Sequence, residues 1–201
     1  MATIAHIVHR LDVAGAELLA MELARALGDR HRFLFLCLDG GGAMAKEAQR
    51  LGWAVHELHR RPGIDLGVGR RVAEVLKREG VDLAHAHQYT PCFYAAVARS
   101  RLWGRRRFTG RLVLTEHGRH YPDPRKLSHL LANRILLREG DAVTAVGEFV
   151  KRALVRCEGI AGQRIEVIHN AAPRRGAAGR SSRSWRARPS PKPFAIPAGK
   201  W

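Results

Sequence analysis

Short apolar runs of strand type alternate with amphipathic helical stretches along most of this chain. Ile4 to Val8 reads as a first strand, apolar enough to be buried on both faces. A loop from Arg10 to Gly15 leads to a helix over Ala16 to Leu27, where Leu19, Leu23 and Leu27 recur every four residues. Strands are expected at Phe33 to Leu38, Ala54 to Leu58, Val81 to Ala86, Leu112 to Thr115, Ala142 to Val146 and Ile165 to Ile168. Between them lie helices at Ala43 to Leu51, around Val68, Val72, Val75 and Leu76, at Cys92 to Leu102, around Leu127, Leu130, Leu131 and Ile135, and at Glu148 to Arg156. Such alternation predicts an α/β fold, a Rossmann-like parallel sheet with helices on both faces.

The pattern stops at Ala171. Residues 171–201 contain Pro173, Pro189, Pro191, Pro193 and Pro197, several Ser and no hydrophobic period. Such a segment buries too little apolar surface to offset the entropy of ordering it, so a disordered tail is expected after a domain spanning residues 1–170.

Composition adds one ambiguity and resolves part of it. The net charge of +17 suggests an anionic partner, but the tail alone, with six Arg, two Lys and no acid, supplies +8. The rest is spread over 170 residues, mostly as Arg on helix faces. The basic run Arg101 to Arg111, with Trp103 and Phe108 interleaved, reads as a solvated loop rather than a nucleic-acid or membrane surface. No run of 18 apolar residues and no secretory pattern is visible. Cys37, Cys92 and Cys157 are odd in number and widely spaced, which fits reduced buried thiols and no disulfide framework.

In an open parallel sheet the chemistry lies beyond the carboxyl ends of the strands. After the first strand, Ala14-Gly15-Ala16-Glu17 opens a helix, where free amides and the helix dipole favour an anion. Asp39, ending the second strand, is a weaker candidate for a ribose-binding acid. His85 and His87 stand two apart in a strand and so share a face. An HxH pair suits a metal, but no third ligand follows at recognisable spacing, so no metal site is expected. The densest polar run is Thr115-Glu116-His117-Gly118-Arg119-His120-Tyr121-Pro122-Asp123. It offers a carboxylate, imidazoles and a guanidinium for hydroxyls and phosphate oxygens.

Taken in order, Ile7 to Glu17, Val81 to His87, Thr115 to Arg119, Ala142 to Val146 and Ile165 to Asn170 resemble the N-terminal domain of retaining glycosyltransferases of family 4, which have the two-domain GT-B fold. The resemblance implies an acceptor-side domain facing a second domain that binds a nucleotide-sugar, with transfer between them, retention of configuration, and neither metal nor other cofactor. It places Gly15, Ala16 and Glu17 at the loop facing donor phosphates and acceptor, His117 and Arg119 at the reacting sugar, and His85, His87 and Glu116 along the cleft. The implied partners are a glycan, lipid or small-molecule acceptor and a donor-binding half. The implied location is the cytoplasm, including peripheral association with the inner membrane face.

Two departures accompany the resemblance. The family usually has two glycines before the X-Glu pair, where this chain has Ala14-Gly15, and Pro-Asn-Gly at the crossing, where it has His169-Asn170-Ala171. The family's second domain is not legible in residues 171–201. The acid-free Arg/Pro/Ser/Ala tail has the composition of GC-rich DNA read out of frame, so a truncated chain, inactive alone, is expected. Other classes remain open from sequence: a stand-alone acceptor-binding module with a separate donor-binding chain, an NAD-dependent protein (though GxGxxG is absent), and a charge-driven nucleic-acid binder.

Overall fold

The computed structural model describes residues 1–118 and 127–170. The expected disorder of the tail, and the placement of Arg119, lie outside the described residues.

Seven strands form one parallel sheet: β1 (Thr3–Val8), β2 (Arg32–Cys37), β3 (Ala54–Glu57), β4 (Leu83–His87), β5 (Arg111–Glu116), β6 (Ala142–Ala145) and β7 (Ile165–Val167). Their order is β3-β2-β1-β4-β5-β6-β7. The chain therefore winds outward from β1 in one direction, then from β4 in the other. The switch point lies between β1 and β4, where the first loops of the two halves diverge and leave a crevice. The Rossmann-like parallel arrangement expected from the alternating pattern is present.

Six α-helices connect the strands: α1 (Gly15–Leu27), α2 (Ala45–Arg50), α3 (Leu66–Arg78), α4 (Tyr89–Val97), α5 (Leu127–Leu136) and α6 (Glu148–Glu158). Right-handed crossovers send helices to opposite faces as the winding direction changes. On one face, Ala20, Met21 and Ala24 of α1 and Ala48 of α2 pack on Val8, Phe33, Phe35 and Cys37. On the other, α3, α4 and α6 bury Val72, Leu76, Tyr94 and Leu154 against Ile7, Leu36, Ala86 and Leu114. Helix α5 packs beside α6 and has no buried residue.

Several boundaries differ from the pattern-based expectation, each for a local reason. In α1 the deeply buried stripe is Ala16, Ala20, Met21 and Ala24, while the leucines are only half-buried. Small side chains let the helix sit close on Phe33 and Phe35. Val81 closes the end of α3 by donating its N–H to Leu76, so β4 starts at Leu83 and extends to His87. The helix expected over Cys92 to Leu102 starts earlier, at Tyr89, ends at Val97, and is followed by 3₁₀ turns over Arg101–Arg106. All three cysteines are buried and unpaired with one another.

Candidate functional site at the sheet's switch point

Register decides which side chains meet. His6 in β1 lies opposite His85 in β4, and His87 lies opposite Thr115 in β5, which lies opposite Thr144 in β6. Because side chains alternate, His6, His85, His87, Thr115 and Thr144 all project from the α1 side of the sheet. They straddle the switch point. His117, just beyond β5, continues the row.

The result is two hydrogen-bonded rows. In the first, His6 Nδ1 and His87 Nε2 are 2.9 Å apart, and His87 Nδ1 and His117 Nε2 are also 2.9 Å apart. In the second, His85 Nε2 meets Thr115 Oγ1 at 2.7 Å, Thr115 Oγ1 meets Thr144 Oγ1 at 2.8 Å, and Thr144 Oγ1 donates to the Leu114 carbonyl at 3.2 Å. His6 stacks on Phe33 at 5.5 Å and Phe35 at 5.4 Å between ring centres. His6 and His87 are each 1% exposed.

Burial dominates the electrostatics. It pushes His85 and His117 down to about 4, with a neighbouring imidazole adding to the effect at His85. His6 and His87 are held well below the ordinary histidine range by burial first, and then by the imidazoles around them. All four rings are therefore neutral near pH 7.

The sequence pattern had offered no third metal ligand beside His85 and His87; the fold supplies His6. One nitrogen from each of the three lies within 4.8 Å of the others. Their present arrangement is that of hydrogen-bonded rings. The 2.9 Å contact between His6 and His87 is shorter than the roughly 3.3 Å that separates two nitrogens around a tetrahedral zinc. Both nitrogens of His87 are already engaged.

The remaining candidates fall into place around this row. Glu116 follows Thr115 directly, so its side chain leaves from the opposite face, where it is 2% exposed and does not join the imidazoles. Gly15, Ala16 and Glu17 form the first turn of α1, entered from Ala14 with no side-chain cap. A Cβ built on Gly15 meets nothing within 4 Å, so the space beside Gly15 is open. Burial raises the Glu17 carboxyl, and its charged neighbours are Asp12 and His9 rather than the histidine row.

Asp39, weighed above as a ribose-binding acid, is instead a brace. It accepts from His9 Nδ1 at 2.8 Å and from Arg60 Nε and Nη2 at 2.7 and 3.2 Å. Burial opposes its ionised form, but the hydrogen bonds from Arg60 and His9 hold its carboxyl below the ordinary range. The loop leading to α1 is pinned from below by the glycine turn. Leu11 N donates to the Gly41 carbonyl (2.9 Å), and Met44 N to the Leu11 carbonyl (2.7 Å).

Sequence reasoning missed His6, Thr144 and Gln88. His6 was hidden in an apolar run, and only its register with the HxH strand marks it. Gln88 follows His87 with φ 77°, a strained conformation for a side-chain-bearing residue, and donates its N–H to the Thr115 carbonyl (2.9 Å). That bond extends the pairing of β4 with β5 past His87. One cavity of about 580 Å³ sits between α5 and the turn after α6, and another of about 490 Å³ is lined by Arg10, Asp39, Gly41 and Glu57 at the glycine turn. No described helix is long and apolar enough to cross a membrane.

Comparison with known proteins places this site in context. Residues 13–173 match the family described as Glycosyltransferase Family 4. No curated protein matches the chain. Among solved structures, a glycosyltransferase from Rickettsia africae ESF-5 is 24% identical with a TM-score of 0.67; the alignment covers 84% of this chain and 42% of that one. Anabaena Alr3699/HepE in complex with UDP is 18% identical with a TM-score of 0.61 (86% and 44% covered), and its complex with UDP and glucose is 19% identical with 0.62 (86% and 45%). The chain spans less than half the length of these structures.

Proposed function

The chain belongs to glycosyltransferase family 4, and from that premise we propose that it forms the acceptor-side wall of a cleft in which a sugar passes from a nucleotide-sugar donor to an acceptor with retention of configuration. The observation that carries this reading is the position of the neutral imidazole row. It runs from the switch point of the sheet to His117 at the carboxyl edge, the edge from which the uncapped first turn of α1 also starts. The Gly15 and Ala16 amides at the helix start support the negative charge of a leaving diphosphate, and His117 supplies a further polar contact at the same edge. Gly15, Ala16 and Glu17 face the phosphates and acceptor, His85 and His87 back the cleft, and Arg119 adds positive charge. A second, donor-binding half completes the site, either further along a longer chain or as a separate partner. Without it the reacting groups are not held in register, so the chain alone does not turn over.

HepE has been seen with UDP and with glucose, which makes UDP-glucose a fitting first probe. Backbone NMR of this chain is expected to show weak binding, with shifts confined to Gly15–Glu17, Gln88 and His117. NAD added in the same way is expected to shift nothing. No UDP should be released. Shifts with NAD and none with UDP-glucose would overturn the reading in favour of a dinucleotide binder, and UDP release by the chain alone would overturn its dependence on a second half.

A further inference from the structure

The proposed cleft lies beyond the carboxyl ends of the strands and leaves a strongly basic segment unused at their opposite ends. Between α4 and β5 the chain carries Arg101, Arg105, Arg106, Arg107 and Arg111, with Trp103 and Phe108 among them. Both aromatics are turned inward. Trp103 packs on the core, and its Nε1 donates to the Val97 carbonyl at 2.8 Å. Phe108 is 3% exposed and donates its N–H to the Ala98 carbonyl at 2.9 Å.

The residues between these two anchors form a short arch. Gly104 has φ 54°, which turns the chain back after Trp103, and the Arg107 N–H closes the turn on the Gly104 carbonyl at 3.3 Å. Arg105, Arg106 and Arg107 are thereby held out in solvent. Arg106 meets Glu74 of α3 at 3.7 Å, a carboxylate that also lies 4.0 Å from Arg70. Arg105 and Arg107 have no carboxylate partner among the described residues, and neither has Lys77 in the last turn of α3. Those three cations, with Gly104 and Thr109, line a groove of about 740 Å³ that contains no acid. The cavity at the glycine turn is different, because Asp39 and Glu57 there offset Arg10 and Lys46.

Three cations around one groove repel one another, and the fold places no counter-charge among them. An anion of three or more charges would neutralise them, and guanidinium groups match phosphate oxygens in pairs. The backbone that carries the two arginines is already ordered, so binding does not have to order it. The groove is of small-ligand size. With both rings turned inward, nothing in the arch can stack on a nucleic-acid base. No described residue of the segment is an exposed large hydrophobic that could enter a bilayer. Recognition here therefore rests on charge and hydrogen bonds alone.

We infer that the groove between the end of α3 and the arch is a second binding site, for an anion that bears a terminal phosphate and three or more negative charges. A free polyphosphorylated molecule and a phosphomonoester lipid headgroup in a charged bilayer present the same oxygens. UDP-glucose, with two charges and no terminal phosphate, is not its ligand. The site lies at the opposite edge of the sheet from the cleft, so both can be filled together, and it stands without the function proposed above.

Tripolyphosphate titrated into the ¹⁵N-labelled full chain at about 0.15 M salt is expected to shift the amides of Lys77 and Gly104–Thr109 saturably. Arg105→Gln with Arg107→Gln, at exposed and unpaired positions, should weaken that binding about tenfold. Arg152→Gln with Arg156→Gln removes the same charge from exposed positions of α6 and should leave it unchanged. Flotation with phosphatidylcholine vesicles containing phosphatidic acid separates the two sources. Flotation that needs Arg105 and Arg107 and is displaced by tripolyphosphate assigns the lipid headgroup; shifts without flotation assign a free ligand. The proposal is overturned by the absence of saturable shifts at the arch, by shifts on residues 171–201 alone, or by equal loss in the two double variants. Duplex DNA binding through the arch of a chain that ignores tripolyphosphate overturns it too. Since UDP-glucose is read at Gly15–Glu17 and tripolyphosphate at the arch, failure of either reading leaves the other standing.

Discussion

Acid should unfold this domain well above the pH at which its carboxylates titrate. His85 moves from an ordinary value of 6.5 to about 4 on folding because its ring is buried. A group whose folded value is depressed in this way is neutral in the fold while the unfolded chain takes up protons. Stability is therefore complete above 6.5 and is lost as pH falls from there toward 4. Between pH 7 and pH 5 the unfolded imidazole gains nearly one proton and the folded one almost none, which integrates to about 2 kcal/mol. His6 and His87 are held well below their ordinary value by complete burial and act in the same direction over the same interval. The His85 contribution alone is a sizeable share of the stability of an ordinary domain.

His117 and His56, more open to solvent, act in the same direction. Asp39, Asp65 and Glu79 are depressed carboxylates, so their contributions vanish only below their ordinary values of 3.8, 3.8 and 4.5 and do not blur the window. Urea titrations at pH 7 and pH 5, followed by far-UV circular dichroism, should show the midpoint falling by at least about 1 M. His6→Phe should lessen that dependence without abolishing it. A midpoint at pH 5 within about 0.5 M of that at pH 7 would refute the burial of neutral imidazoles at the switch point.

Two further perturbations test the scaffold that holds the site. Arg99 and Asp141 form a buried two-pronged ion pair, both contacts at 2.7 Å, linking the end of α4 to the start of β6. Asp141→Ala leaves the guanidinium buried and uncompensated and should cost about 3 to 5 kcal/mol by urea denaturation, with Arg99→Leu in the same chain recovering most of it. Gly42 has φ +82°, and a Cβ there would lie 2.6 to 2.7 Å from the Leu11 backbone. Gly42→Ala should therefore cost about 2 to 3 kcal/mol in the same assay, with NMR shifts that extend to Gly15 through the displaced loop.

Alternation of apolar runs made the sheet and its helices legible because that signal is local. What it could not convey is register. His6 looked like one more residue of a doubly buried strand, and nothing within β1 says that it will lie opposite His85. The converse error came from treating the run from Thr115 to Arg119 as one polar unit. Period-two alternation already separates Glu116 from Thr115 and His117, and the fold sends its carboxyl into the opposite layer. Asp39 read as a free acid because Arg60, which saturates it, is 21 residues away. The leucine stripe of α1 misled for a packing reason: the contact is made by alanines, whose small size sets the spacing between helix and sheet.

Those non-local facts also explain why histidines occupy this layer at all. Phenylalanine or leucine at positions 6 and 87 would fill the same volume beside Phe33 and Phe35 without any cost below pH 6.5. Imidazoles add nothing to burial that a hydrocarbon would not, and they make the domain acid-labile. What they add is direction: a ring bonded through both nitrogens passes orientation from one strand to the next, from β1 through β4 to the residue after β5. The hydroxyl row from His85 to Thr144 runs beside it and is tied to a strand carbonyl, so its polarity cannot reverse. A layer built this way gives up stability in acid for hydrogen bonds that tie β1, β4 and the residue after β5 to one another.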